Sequence, residues 1–375
     1  MVFAFILVIQ VIYLFFGLLF ILTKPQSSKR AQPFEPLVSV VLPARNEGHR
    51  LKYCVESLLL LDYPPEKMEI IIVDDDSQDG SQEIIAPLIA SKNYISYHIL
   101  TPELKIQPGK AGALLYGIEK SSGEVVFVTD ADCRVPRTWI KGLLAHMTDS
   151  TGLVGGFTIL ENETDPAAIL GKIESLDLVF LLTVAASSAR LRRAASWIGN
   201  NLAFRRQAYD QVGGYAALGF SLIEDMTLVN AIGQKTQWGL RFSAEPDTLV
   251  LSYPLHSFKE FLDQHKRWLF GIKDIRPFAK LLIGLAFLSR TGIPVLFFLT
   301  SAKLALSILA SVLFIDMFIC RRSLAALNRL ELLKYFFGFE CHTIFLAFAL
   351  PISLIARPKI QWKENTYSSK IFSKV

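Results

Sequence analysis

The chain has 375 residues, with 39 Lys+Arg against 34 Asp+Glu and a formal net charge of +5. That excess is small and dispersed, which argues against nucleic-acid binding through a clustered basic face. At 51% hydrophobic and 19% charged residues, the chain is too apolar for disorder and greasier than an ordinary soluble domain, so part of it is expected in lipid.

Val2 to Leu22 reads VFAFILVIQVIYLFFGLLFIL, with one Gln and no charge. About 20 helical residues cross a bilayer's hydrocarbon core, so residues 1–23 are expected to form a transmembrane anchor. No Lys or Arg precedes the run and no A-x-A site follows it, which favours an uncleaved anchor over a cleaved signal peptide. Lys24, Lys29 and Arg30 come directly after it. By the positive-inside rule the N-terminus is then outside and the following chain cytoplasmic.

Residues 34–260 alternate short apolar runs with polar, Gly- and Pro-containing stretches. Runs 37–42, 69–73, 95–100 and 125–129 predict strands, and Gly48–Leu61, Ser81–Ser91 and Gly109–Ser121 predict the helices between them. Near-continuous apolar strands alternating with helices imply an α/β domain with a mainly parallel sheet covered on both faces. In such sheets ligands bind beyond the carboxyl ends of the strands. Asp74, Asp75 and Asp76 follow the second run, and Asp130 and Asp132 follow the fourth, so two strand ends deliver carboxylates to one rim. Residues 168–188 predict a buried helix, since Glu174 and Asp177 interrupt a stretch too short for a span. The alternative is an amphipathic lip that admits a lipid acceptor.

Residues 261–278 predict an interfacial helix, and 279–355 a C-terminal transmembrane region with candidate spans 279–299, 302–320 and 335–355, four spans in all. Arg290, Asp316, Glu340 and His342 interrupt these spans. A central Arg costs roughly 2.5–3.5 kcal/mol, which a dozen large apolar residues offset. The loop Arg321–Lys334 and the tail 356–375 are both basic, in conflict with a simple third crossing. The last span is re-entrant, or the tail lies outside despite its charge.

The chain lacks G-x-G-x-x-G after its first strand, and it lacks G-x-x-x-x-G-K-[ST], G-x-S-x-G and any H-x-x-x-H pair. Dinucleotide oxidoreduction, P-loop NTP hydrolysis, serine esterase chemistry and zinc hydrolysis therefore have no support. Cys54, Cys133, Cys320 and Cys341 form no C-x-x-C pair and read as unpaired thiols in a reducing compartment. Asp130-x-Asp132 is weak alone, but its position after a buried strand suits a hard cation held by carboxylates and substrate phosphates. Glu224-Asp225 precedes an apolar helical run, where acids are also favoured simply as caps. In Gln264-x-x-Arg267-Trp268 the three side chains share one helical face. Arg clamps a diphosphate and Trp stacks on a sugar ring, though both residues are common at membrane surfaces as well.

In this order, Asp74-Asp75-x-Ser77-x-Asp79-Gly80, Asp130-x-Asp132, Glu224-Asp225 and Gln264-x-x-Arg267-Trp268 resemble the motif set of family 2 (GT-A fold) membrane glycosyltransferases. Pro43-Ala44-Arg45-Asn46-Glu47, Gly109-Lys110-Ala111-Gly112-Ala113-Leu114 and Gly199-Asn200-Asn201-Leu202-Ala203-Phe204-Arg205 extend the likeness over Pro36–Trp268. The Q-x-x-R-W element is similar to that of ceramide glucosyltransferase-like and hopanoid-lipid enzymes and of cellulose, chitin and hyaluronan synthases. Two positions depart from the pattern: Leu115 stands where the family often has Asn, and Asp76 where it often has Gly.

The resemblance implies inverting transfer from a nucleotide-diphosphate sugar, a UDP-sugar by expectation, in a multi-pass protein of the cell membrane with a cytoplasmic catalytic domain. It implies that Ala44, Glu47, Asp75, Lys110 and Asp130 bind the nucleotide sugar, and that Asp132 with Asp130 holds Mg2+ or Mn2+. Glu224, Gln264, Arg267 and Trp268 then serve the acceptor and the diphosphate, and Asp225 is the general base. The acceptor is expected to be a membrane lipid or lipid-linked saccharide. A processive polysaccharide synthase is the runner-up, and a catalytically inactive membrane scaffold the third reading.

Overall fold

The computed structural model describes residues 1–23, 34–161, 169–190, 196–255, 257–356, 359–362 and 365–368. Lys24, Lys29, Arg30, Ala168 and Arg357, on which parts of the orientation and boundary reading rest, lie outside the described residues. Helix α1 (Val2–Leu22) is followed by β1 (Val38–Ala44), α2 (Gly48–Leu59), β2 (Met68–Asp74), α3 (Ser81–Ile89), β3 (Ile95–Ile99), α4 (Gly109–Lys120) and β4 (Val125–Val128). Then come β5 (Cys133–Arg134), α5 (Trp139–His146), β6 (Thr151–Gly156), β7 (Thr158–Leu160), α6 (Ile169–Arg190), β8 (Leu202–Arg205), α7 (Arg206–Gln211), α8 (Gly214–Leu218), α9 (Glu224–Lys235), β9 (Gly239–Ser243) and β10 (Val250–Ser252). Helices α10 (Phe258–Phe270), α11 (Pro277–Leu299), α12 (Ala302–Ala326) and α13 (Phe336–Ala356) precede a hairpin of β11 (Lys359–Trp362) and β12 (Asn365–Ser368).

Seven strands stand in the order β3-β2-β1-β4-β8-β6-β9. The first four run parallel, and β8 is antiparallel to both of its neighbours, β4 and β6. A second sheet joins β5, β10 and β7. Side chains alternate across the main sheet. Val38, Val40 and Leu42 of β1 pack with Leu51, Val55 and Leu58 of α2 and Ile85 of α3 on one face. Val41, Val126 and Val128 pack with Leu114 and Ile118 of α4 on the other. Burial on both faces is why these strands read as unbroken apolar runs. Leu115 belongs to this second core and is buried, so the departure at that position fills packing space.

Helix α6 is the buried helix that its interrupted hydropathy predicts. Leu176, Val179, Leu182 and Ala185 are wholly enclosed in the same core as β4 and β8. The helix also packs against α12 and α13, where Thr183 and Ser323 share a hydroxyl hydrogen bond of 2.6 Å. That core runs on without a break into Cys320, Leu324, Phe336 and Phe339.

Four helices are long and apolar enough to cross a membrane, within Val2–Leu22, Pro277–Leu299, Ala302–Ala326 and Leu330–Ala356. Their polar interruptions meet one another. Arg290 Nη2 donates to Asp316 Oδ2 at 2.6 Å and lies 3.7 Å from Glu340 Oε2. The Tyr13 hydroxyl donates to Asp316 Oδ1 at 2.6 Å, and Gln10 and Ser289 exchange hydrogen bonds of 3.1 and 2.8 Å.

The basic stretch 321–334 is a correction, because α12 does not stop at residue 320 but continues helically to Ala326. Within this added helical stretch, Arg322 Nη1 donates to the carbonyls of Phe20 and Ile21 at 2.5 and 3.3 Å, so the guanidinium caps the open end of α1. Beyond α13, β11 lies beside α10. The chain thus returns to the helix that precedes α11.

Candidate active site

The register of β2, β1 and β4 fixes the rim: Ala44 pairs with Asp74, and Val41 with Val128. The Asp75 N–H donates to the Ala44 carbonyl at 2.8 Å, which carries the ladder one residue past the strand. Asp74 turns inward, accepting from the Ser77 N–H at 2.8 Å and from the Tyr97 hydroxyl, so it shapes the turn. Asp75 is 4% exposed and lies 3.2 Å from Arg45 Nη1 and 2.5 Å from Lys105 Nζ. Asp76 has φ 61°, left-handed backbone that favours glycine, which accounts physically for glycine being common at this position.

Next along the rim, Lys110 stands in the first turn of α4, whose Gly112 lies so close to the preceding chain that a Cβ would sit 1.9 Å from the Gln107 carbonyl oxygen. This close packing sets the Lys110 ammonium 2.6 Å from Asp130 Oδ1 and 3.5 Å from Glu224 Oε1. Burial opposes its charge, but Asp130, Glu224 and Asp225 together hold it above the ordinary lysine range. One cation therefore ties the end of β4 to the start of α9.

Asp132 is pushed up to about 6 by burial, then by the charges of Asp130 and Glu47, against a hydrogen bond from the Cys133 thiol and the charge of Arg50. Asp225 is also raised to about 6, by burial and then by Glu224, against Lys110, the Met226 N–H and Arg267. The Met226 N–H donates to Asp225 Oδ1 at 2.7 Å. Gly199 leaves room for this carboxylate, since a Cβ there would lie 2.9 Å from Asp225 Cβ.

Helix α10 begins with Ser257, whose side chain accepts from the Glu260 N–H. The charge of Arg267 lowers the Asp225 value, and its Nη1 donates to the Leu222 carbonyl at 3.0 Å. Trp268 instead packs on His265, ring centroids 4.9 Å apart, and Gln264 is half-buried on the same helix. The structure thus gathers Lys110, Asp130, Glu224, Asp225 and Arg267 into one group, with Asp132 and Glu47 joined to it through Asp130 and Asp75 farther along the rim.

Sequence reading assigned no role to Arg45, Lys105 or Gly199. Arg45 had a signal, two residues from Glu47 in a matching motif. Lys105 sits in a polar stretch without periodicity and offered none.

Asp132 feels the like charges of Asp130 and Glu47, and carboxylate oxygens are the donors that a hard divalent cation takes. Asp130 and Asp132 therefore fit a hard divalent cation by the chemistry of their oxygens.

A family model described as Glycosyl transferase family 21 matches residues 2–371. The beta-monoglucosyldiacylglycerol synthase of Trichormus variabilis is 30% identical over 196 residues, covering 50% of this chain and 39% of that protein. The poly-beta-1,6-N-acetyl-D-glucosamine synthase of Staphylococcus epidermidis is 30% identical over 181 residues, covering 47% of this chain and 41% of that one. The chain thus spans about two fifths of the length of these two relatives. Among solved structures, the mannosyltransferase PcManGT from Pyrobaculum calidifontis, in complex with GDP-Man and Mn2+, has a TM-score of 0.55 at 16% identity, over 91% of this chain and 96% of that chain. That likeness is one of fold, the GT-A arrangement.

Proposed function

We propose that this chain, which belongs to glycosyl transferase family 21, moves a sugar from a nucleotide-diphosphate sugar to the hydroxyl of a membrane lipid. The observation that carries the reading is the convergence of Asp130, Glu224 and Asp225 on Lys110, on a sheet whose core continues into helices apolar enough to enter a bilayer. Similarity to a glucosyldiacylglycerol-forming enzyme supports the lipid acceptor.

In this reading Asp75, Glu47 and Ala44 hold the nucleoside side of the donor, and Lys110 and Asp130 its diphosphate side. Asp130 and Asp132 hold Mg2+ or Mn2+, which when bound offsets negative charge on the diphosphate. Arg267 does the same from α10, with Gln264 and Trp268 presenting the sugar and acceptor from the same helix and Glu224 holding Lys110. Asp225 takes the acceptor hydroxyl proton as that oxygen bonds to the anomeric carbon, while the bond to the diphosphate breaks on the opposite face. A single displacement of this kind inverts the anomeric centre. At about 6, Asp225 is ionised at neutral pH yet basic enough to accept a proton. The catalytic rim faces the cytoplasm, where nucleotide sugars are made.

The decisive experiment incubates membranes carrying the protein with Mn2+ and a panel of radiolabelled nucleotide sugars, then separates lipid from polymer. Label in the lipid fraction from one donor is expected. Long polymer from nucleotide sugar alone replaces this reading with polysaccharide synthesis, which similarity to a polymer-forming enzyme supports. No incorporation and no donor binding leaves the inactive scaffold.

A further inference from the structure

Away from the acidic rim, three side chains on three separate helices meet without a role in the transfer. Asp177 of α6, His265 of α10 and His342 of α13 each contribute one donor atom to a group whose members all lie within 4.8 Å of one another. His265 Nε2 is 3.7 Å from Asp177 Oδ2, and the His265 side chain is 10% exposed. Its other nitrogen, Nδ1, lies 3.0 Å from the Phe261 carbonyl oxygen. A carbonyl only accepts, so in the neutral ring Nδ1 carries the proton and Nε2 turns its lone pair toward the group. A backbone carbonyl orienting one ring nitrogen in this way is the usual support of a metal-binding histidine.

A simple Asp177–His265 ion pair does not account for the arrangement. The Nε2 atoms of both His265 and His342 are buried without a hydrogen-bond partner, and an unsatisfied buried polar atom costs about 1–3 kcal/mol. The Phe261 ring stands 4.2 Å from the His265 ring and 5.0 Å from that of His342, centroid to centroid, which keeps one side apolar. Glu174, one turn before Asp177, is buried and has His265 and Asp177 as its charged neighbours.

We propose that Asp177, His265 and His342 form a second metal site, for a divalent ion of the zinc class. Two imidazole nitrogens and a carboxylate select zinc and its transition-metal neighbours, whereas the all-oxygen rim suits Mg2+ or Mn2+. Around tetrahedral zinc, with ligands at about 2.0–2.2 Å, donor atoms lie roughly 3.3–3.6 Å apart. The 3.7 Å pair is already near that spacing. Glu174, on the same helix as Asp177 and within the electrostatic reach of His265, is a further carboxylate near the group. The ion staples α6, α10 and α13 together and fixes α10 in the register at which Arg267, two residues beyond His265, reaches Leu222 and the neighbourhood of Asp225.

The test uses the full chain in detergent, stripped with a chelator, dialysed against Co2+ or Zn2+ and then desalted. Wild type should retain about one equivalent of metal per chain and show the visible absorption of four- or five-coordinate Co2+. His342→Gln and Asp177→Asn should lose both signals, and Asp132→Asn should keep them. Thermal melting of the metal-free proteins checks that the variants are folded. If wild type retains no more Zn2+ or Co2+ than His342→Gln, or if Asp132→Asn abolishes the signal, the site does not exist.

Discussion

Aspartate plays opposite parts in the two halves of this molecule. Between the apolar helices Asp316 is fully buried, yet the Arg290 guanidinium and the Tyr13 hydroxyl each reach it at 2.6 Å. On the sheet rim Asp132 and Asp225 face other carboxylates, and both are held at about 6. A buried charge that finds its counter-charge inside the protein is architecture. Like charges kept together without enough counter-charge have been left for something that arrives from outside. The contrast teaches where to look for chemistry: Asp316 is held by a guanidinium and a hydroxyl, whereas Asp132 and Asp225 are raised by neighbouring carboxylates.

The sharpest way to break the comparison is to neutralise one side of it. Asp225→Asn should lower transfer by about 10²–10⁴-fold while leaving donor affinity close to wild type, read by labelled-sugar transfer beside nucleotide-sugar titration. Normal turnover would remove Asp225 from its role. On the other side, Arg290→Met strands Asp316 and Glu340. It should cost about 3–5 kcal/mol of stability, seen as a lower melting temperature in detergent, and adding Asp316→Leu and Glu340→Leu should restore much of the loss. If Arg290→Met melts like wild type, the buried network is not what binds these helices.

The smallest effect concerns pH. If ionised Asp225 is the base, as proposed, transfer should fall as pH drops through about 6. The charge of Lys110 lowers the Asp225 value, so Lys110→Met should move that acid limb upward in a pH–rate profile of whatever turnover remains. A downward shift would contradict the assignment.

Every aspartate in this comparison was visible in the sequence, but their partners were not. Asp75 and Asp130 could be placed because strand periodicity and the rule for strand ends are local signals. Which cation each one meets depends on long-range packing. Nothing in the spacing of Lys105 points to Asp75, thirty positions earlier, nor does the spacing of Arg290 point to Asp316 and Glu340 on two other helices. In the sequence those three charges read as flaws in candidate spans, whereas across the helix contacts they are one another's remedy. Of the Q-x-x-R-W face, helical geometry anticipated the shared side, and the fold then sent Arg267 to the acidic group and Trp268 to His265.

The uninterrupted cluster joining Val126 and Phe204 of the sheet, through Leu176 and Leu182 of α6, to Leu324 and Phe339 has a practical consequence. Among the described residues no seam separates a water-soluble catalytic half from a greasy remainder. A fragment that ends before Pro277 strips away one wall of its own interior, and the bared surface favours association over monomeric behaviour. Biochemistry on this protein therefore begins with detergent or lipid, not with truncation.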